Sequence, residues 1–490
     1  MLPLKEKDKP VIQKLLSAGC CARCILRFCC VSVQAAYRHN TENTKSQDST
    51  AADKRAKLEP SVTEAPSEED AAAVLKLKDE ESRVCVVCLG ILQELCGNTQ
   101  AVKVSAVKAE KYEFDTLVLS VSLPAQLCVR EHSCWLHVKK ELREKSMALD
   151  KDDVIQVKEA FKWIMQGQVA KELGAECLPL VFCSSCRATT CPDCFKPTKN
   201  KQSVFTRMAV VKALEKISDA KFLKHYPCPP AYPTSSCISQ DIQCLHVSVF
   251  VAGRYNKFCR SLPQTPWVID GERRMESSVE ELIAAAILSS FRASGFNFSS
   301  SGREDVDVRT LGNGRPFAME LLNPHRSRLN KVEMKQLQET INKSSDKIRV
   351  RDLQIVTREA MGRMKEGEEE KTKSYTALIW TQKPIQREDI SFIDDIKDLT
   401  LDQKTPLRVL HRRALAVRQR VIHSMNTRFL DSHHFYLGLK TQAGTYIKEF
   451  VHGDFGRTKP NLCQLLNTDT DILELDVESV DVDWPPSIPE

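Results

Sequence analysis

The clearest apolar repeat lies in SSVEELIAAAILSSFRASG, residues 277–295. Val279, Leu282, Ile283, Ile287, Leu288 and Phe291 fall on one face at the 3.6-residue period, which predicts a helix. Ser278 and Glu281 have the spacing of a capping box, and Gly295 is placed to stop the helix. FNF (296–298), TALIW (376–380) and FYLGLKT (435–441) carry strand signals. In LKTQAGTYIKEFVHGDFG (439–456) a strand ends at a glycine and a second helix begins, with Thr445 as its expected N-cap. Helices and strands mixed in this way predict an α+β or α/β architecture.

The pattern lapses between residues 41 and 82, which hold no aromatic residue and no glycine. That composition cannot bury a core, and the segment is expected to be a disordered linker. Globular composition returns over 83–225, and PCPPAYPTSSC (227–237) breaks it again. The remaining residues form a second folded unit of about 250 residues, within the usual domain size. A chain of 490 residues suits two or three domains, and no internal repeat is visible.

No apolar run approaches the roughly 18 residues that cross a bilayer, so no membrane association is expected. The N-terminus has neither the apolar core nor the cleavage site of a secretion signal. Twenty cysteines in such a chain point to reduced thiols and metal ligation. The net charge of +6 is unevenly spread: residues 401–460 carry eleven Lys or Arg against four acids, and residues 461–490 carry eight acids and no Lys or Arg. A basic stretch of this kind can serve as a nucleic-acid surface or as an ordinary solvated face.

Cys21-x-x-Cys24 and Cys85-x-x-Cys88 are two knuckles, and two knuckles close a tetrahedral four-thiolate zinc site. The intervening linker adds little closure entropy, because that cost grows only logarithmically with length. Cys183, Cys186, Cys191 and Cys194 form a second, tighter candidate set. A closed all-cysteine site leaves no open coordination position, so a zinc there is structural.

SSSGREDVDVRTLGNGRPF (299–317) holds the main candidate for chemistry. Asp305, Asp307 and Arg309 alternate with valines and share a face if the segment is extended. An Asp-x-Asp metal site, a solvated turn and a catalytic carboxylate are all open. Arg303, Arg309 and Arg315 crowd the stretch; they oppose a cation and favour an ionised aspartate acting as base or nucleophile. Lys448 falls in the first turn of the second helix, at the positive end of its dipole. That placement costs a few tenths to about 1 kcal/mol and calls for a carboxylate partner, for which Asp305 is a candidate. Tyr375 opens a strand just after Lys371 and Lys373, a setting suited to a stacked base beside phosphates. HRRALAVRQR (411–420) adds a dense basic segment for phosphate contacts.

GRYNKFCRSLPQTPW (253–267), SSSGREDVDVRTLGNGRPF, KTPLRVLHRR (404–413) and GTYIKEFVHGDFGRTKP (444–460) together resemble the catalytic domain of the archaeal and eukaryotic "Pus ten" family of tRNA pseudouridine synthases. CPDCFKPTKNKQSVFTRMAV (191–210) resembles the same family more weakly. The resemblance implies an α+β mixed-sheet pseudouridine synthase domain over 245–490. It also implies a zinc- and THUMP-containing α/β accessory half, with a zinc-knuckle segment at 1–40 and an RNA-binding part at 83–235. It implies that Asp305 is the catalytic aspartate, that Tyr375 stacks on the flipped uracil, and that Lys448, with Arg303 beside it, keeps Asp305 ionised and aimed. The implied reaction isomerises uridine in the TΨC arm of tRNA. It needs no organic cofactor, only a structural zinc on Cys21, Cys24, Cys85 and Cys88. The expected partner of a monomeric chain is tRNA, with other structured RNA open, in nucleus and cytoplasm and with a mitochondrial fraction also open. A non-catalytic zinc-containing RNA-binding protein is the alternative. Two features depart from the family pattern. Glu304 stands where related synthases often carry Thr and has no assigned role, and LPLVFCSSCRATT (178–190) is shorter and richer in cysteine.

Overall fold

The computed structural model describes residues 8–37, 83–96, 108–119, 122–144, 151–173, 176–179, 206–238, 244–365, 371–411 and 413–488. The expected linker at 41–82 and the set Cys183, Cys186, Cys191 and Cys194 lie outside them. Residues 1–244 and 245–490 form two compact units. Among the described residues no helix is long and apolar enough to cross a membrane.

The first unit is built mainly from helices. Helices α1 (Lys9–Ser17) and α2 (Ala22–Phe28) are followed by strand β1 (Thr116–Leu119), helices α3 (Gln126–Glu144) and α4 (Val157–Leu173), and strand β2 (Glu176–Pro179). β1 and β2 pair in parallel. A parallel pair needs a crossover connection, and α3 and α4 lie within it. Helices α5 (Arg207–Lys216) and α6 (Asp219–His225) start at Thr206 and Ser218, whose hydroxyls accept from backbone N–H groups three residues on. Leu15, Ile25, Phe28, Tyr37, Val86, Leu92, Phe161 and Ile164 share one core.

The second unit holds one large sheet. In chain order it comprises β3 (Val249–Lys257), the small hairpin β4 (Val268–Ile269) and β5 (Glu272–Arg273), α7 (Val279–Phe291), β6 (Gly295–Ser300), β7 (Arg309–Leu322), α8 (Lys331–Ser344), β8 (Ile348–Val356), α9 (Arg358–Lys365), β9 (Thr372–Thr381), α10 (Arg387–Ser391), β10 (Lys397–Lys404), β11 (Val417–Asp431), β12 (His434–Gln442), α11 (Ile447–His452), β13 (Thr458–Lys459), α12 (Leu462–Leu466) and β14 (Thr470–Val480). The ten-stranded order is β13-β10-β11-β12-β9-β14-β7-β3-β8, with β6 beside β7. β14 and β7 are parallel, pairing Asp476 with Arg309 and Val477 with Thr310. The other pairings are antiparallel. The sheet is therefore mixed, as expected of the C-terminal half.

Helix α7 lies where its apolar face predicts, with Val279, Ile283, Ile287 and Phe291 buried. Ser278 caps it, but the stop is Arg292, which takes the left-handed conformation at φ 47°. Gly295 instead opens β6. Within β7, Gly312 (φ 52°) could carry no side chain, because a Cβ there would lie 1.8 Å from the Glu478 carbonyl oxygen. That close approach of β14 explains a glycine in mid-strand.

The loop between β6 and β7 is fixed to the core at two consecutive places. Glu304 is buried, its side chain 1% exposed, and Arg315 Nε stands 2.6 Å from its Oε2 as a charge contact off the donor axis. Tyr255 donates to Glu304 Oε1 at 2.7 Å, and Gln264 Nε2 donates to Tyr255 Oη (2.8 Å), Ser300 Oγ (2.9 Å) and the Gly302 carbonyl (3.1 Å). Arg315 Nη1 donates to the Ser301 carbonyl at 2.8 Å. Next along the chain, the buried Lys257 Nζ donates to the carbonyls of Asp305 (3.1 Å), Val306 (2.9 Å) and Leu262 (2.7 Å). Burial pushes that ammonium down to about 8, against the opposing pull of Glu304. Glu304, without a role on sequence grounds, thus ties the loop to β3 and β7.

Removing one partner of a buried ion pair leaves the other charge uncompensated. Glu304→Gln is therefore expected to lower unfolding stability by about 3 kcal/mol or more in chemical denaturation. A loss below about 0.5 kcal/mol, the scale of an ordinary surface substitution, would contradict this role.

Candidate active site

The loop after Glu304 does not run extended. Val308 N–H donates to the Asp305 carbonyl at 3.2 Å and closes a turn over Val306 and Asp307. The three polar residues therefore do not share a face, contrary to the alternation in the sequence. Arg309 turns to Asp476, with Nε and Nη2 at 2.8 and 2.5 Å from its carboxylate. Asp307 meets Lys448. Asp305, 32% exposed at its side chain, meets Arg408.

Arg408 sits in a short 3-10 turn, Leu407–Val409. Its Nη1 donates to Asp305 Oδ2 at 2.8 Å. Its Nε donates to Glu449 Oε1 at 2.6 Å and its Nη2 to Oε2 at 3.4 Å. Glu449 is 2% exposed and occupies the first turn of α11, where a negative charge suits the helix dipole. One guanidinium thus joins a buried acid to the carboxylate in the cleft.

Lys448 precedes Glu449 on α11. Its Nζ lies 2.9 and 2.7 Å from the two oxygens of Asp307 and 3.6 Å from Asp305 Oδ2. The carboxylate partner that its place on the helix calls for is present, but it is shared between two aspartates. Within these contacts Lys448 holds the Asp307 carboxyl below its usual range, although partial burial opposes the shift. The N-cap of α11 is Tyr446, one residue later than expected. Thr445 Oγ1 donates instead to the Gln442 carbonyl at 2.7 Å.

Asp305, Tyr375, Lys448 and Arg303 line one cleft of about 790 Å³. Tyr375 stands on β9 opposite Val477 of β14, and Leu475, Val477 and Val308 add apolar wall. The Tyr375 ring is half-buried. Burial pushes its phenol above the ordinary value, Arg315 opposes the rise and Glu304 adds to it. Arg303 is exposed on the wall, and the ion pairs to Asp305 come from Arg408 and Lys448. Arg413, Arg418 and Arg420 also line the cleft. Sequence reasoning did not single out Arg408 or Glu449. Glu449 adjoins Lys448, but no spacing connects either residue to position 408.

In the first unit, the sulfurs of Cys21, Cys24, Cys85 and Cys88 lie within 4.8 Å of one another, and Cys21 Sγ is 3.8 Å from Cys88 Sγ. Zinc–sulfur bonds of about 2.3 Å in a tetrahedron separate sulfurs by about 3.8 Å, so the donor set and its spacing fit a metal ion of that kind. Arg27 is buried beside them. It donates to Cys24 Sγ at 3.4 Å and to the Ile155 carbonyl at 2.6 Å, and it pairs with Glu131.

Residues 250–481 match the family model described as Pus10, C-terminal. Residues 85–185 and 182–244 match the one described as eukaryotic Pus10, N-terminal. The chain is 57% identical to the tRNA pseudouridine synthase Pus10 of Mus musculus over 531 aligned residues, and 55% identical to that of Homo sapiens over 527, each time across 100% of both chains. A solved chain from a Cbf5–Nop10–Gar1 complex shares 14% identity over 46% of this chain and 48% of its own, with a TM-score of 0.26. That likeness is too distant to bear on the site. With relatives of this identity matched from end to end, and the family model lying over the unit that carries Asp305, the chain belongs to the Pus10 family of tRNA pseudouridine synthases, isomerases that act on RNA.

Proposed function

We propose that this chain isomerises uridine to pseudouridine in the TΨC arm of tRNA, with Asp305 as the catalytic residue. The observation that carries the reading is the Asp305 carboxylate, open to a cleft, paired with two cations and facing the same space as a half-buried tyrosine. The target uridine leaves the RNA stack to enter such a cleft, at a cost of a few kcal/mol. Tyr375 packs against the extruded base. The C1′–N1 bond breaks, the uracil turns, and a C1′–C5 bond forms; N1 gains a proton and C5 loses one.

Arg408 and Lys448 pair with the Asp305 carboxylate and aim it into the cleft. Arg408 cannot drift away without leaving Glu449 buried and unbalanced, so it holds Asp305 in place. Arg303, Lys373, Arg413, Arg418 and Arg420 suit the phosphates on either side of the flipped nucleotide. The first unit serves as the accessory RNA-contacting half, of the THUMP type that the resemblance implies. Cys21, Cys24, Cys85 and Cys88 hold a structural zinc there, closing the two knuckles on each other.

Asp305→Asn keeps the shape of the side chain and removes its charge. With unmodified tRNA transcript it is expected to retain RNA binding and to lose pseudouridine formation by at least about 10²-fold, the scale of a lost acid–base or nucleophilic group. Equal product from both chains would remove Asp305 from the mechanism. Metal analysis of the purified chain is expected to find a single zinc that disappears in the Cys24→Ser, Cys88→Ser double variant. Zinc retained in that variant would place the ion elsewhere.

A further inference from the structure

Helix α11 ends in an unusual turn. Gly453, Asp454, Phe455 and Gly456 all have positive φ, at 79°, 46°, 56° and 77°. Two of the four are not glycine, and a bulky L residue pays a steric cost in that region. The turn is held from below. Asp454 is buried, its carboxylate accepts from the Leu407 N–H at 3.3 Å, and Arg457 Nε lies 3.5 Å from it. Arg457 Nη2 donates to the Thr405 carbonyl at 2.7 Å. Thr458 N–H closes back on the Gly453 carbonyl at 3.2 Å.

None of this buries Phe455. It is 94% exposed, the most exposed large apolar side chain among the described residues. Backbone strain that gains no buried contact is a mark of function rather than of packing. The anchoring segment gives the turn its place: Leu407 holds Asp454, and the next residue, Arg408, holds Asp305. Lys448 stands in the first turn of α11, and Phe455 lies in the turn that follows the helix, three residues past His452. Arg457 and Lys459 follow Phe455 within four residues, in a basic stretch of the chain. An aromatic ring standing in water within a basic stretch suits an unpaired nucleobase better than an apolar protein surface.

We propose that Phe455 is a nucleobase-stacking platform beside the site, taking an unpaired base of the RNA near the target uridine. The nearness to the target, though not the stacking itself, rests on the reading that uridine enters at Asp305.

The test uses the full chain carrying Phe455→Ala, Phe455→Leu or Phe455→Trp, with tRNA transcript as the probe. Equilibrium binding, kcat and KM are read for each variant, with thermal melting as a fold control. Phe455→Ala is expected to weaken binding and raise KM by about 5- to 150-fold, the range for a lost base stack, with kcat and melting little changed. Phe455→Trp is expected to bind as the native chain does, and Phe455→Leu to fall with Ala because it is apolar without a π face. Binding of the Ala variant within about twofold of native would overturn the proposal, as would a Leu variant equal to Trp. If the native chain binds RNA but forms no pseudouridine, the reading of the cleft fails, while the binding series still decides whether Phe455 stacks a base.

Discussion

One guanidinium, that of Arg408, is gripped at both ends, and the candidate site is arranged around it. Glu449 holds it from the buried side and Asp305 meets it in the cleft. Three carboxylates, those of Asp305, Asp307 and Glu449, share Arg408 and Lys448 between them. Because Glu449 is nearly without solvent, its claim on Arg408 is the stronger. A buried acid left alone costs several kcal/mol, whereas an exposed pair contributes about 1 kcal/mol or less. Arg408 is therefore fixed first, and Asp305 is oriented by a partner that has no freedom to follow it.

The opposite side of the loop is equally constrained. Glu304 is held by Arg315 and Tyr255, and the carbonyls of Asp305 and Val306 are taken by Lys257. Side chain, backbone and carboxylate are thus restrained within three residues, by groups from β3, β7 and the 407–409 turn. Such preorganisation suits a reaction that depends on position and charge rather than on a cofactor.

Local pattern made part of this visible in the sequence. The apolar face of α7 and the strands around TALIW and FYLGLKT lie where their periods put them, because burial enforces those periods directly. Lys448 was noticeable because a cation in a first helical turn needs a reason, and the structure supplies one in Asp307 and Asp305. Arg408 carried no such signal: it meets Asp305 across 103 residues of chain, and in the sequence it is one cation among many. The alternation of Asp305, Asp307 and Arg309 misled for a related reason. A period of two implies an extended segment only when a sheet enforces it, and here a turn closes first, since β7 begins at Arg309. Glu304 went unassigned because burial of an acid depends on Arg315 and Tyr255, which reach it only in the folded sheet.

The central claim is that Arg408, fixed by Glu449, holds Asp305 in its working position. The most direct test is single-turnover pseudouridine formation by Arg408→Lys, with RNA affinity measured in parallel. A lysine keeps the charge but cannot bridge two carboxylates with a planar fork. The account predicts a rate lower by about 10²-fold, the scale of an ångström-sized misplacement, with RNA affinity nearly unchanged. A native rate, or a loss confined to RNA affinity, would contradict it and leave Arg408 as a phosphate contact.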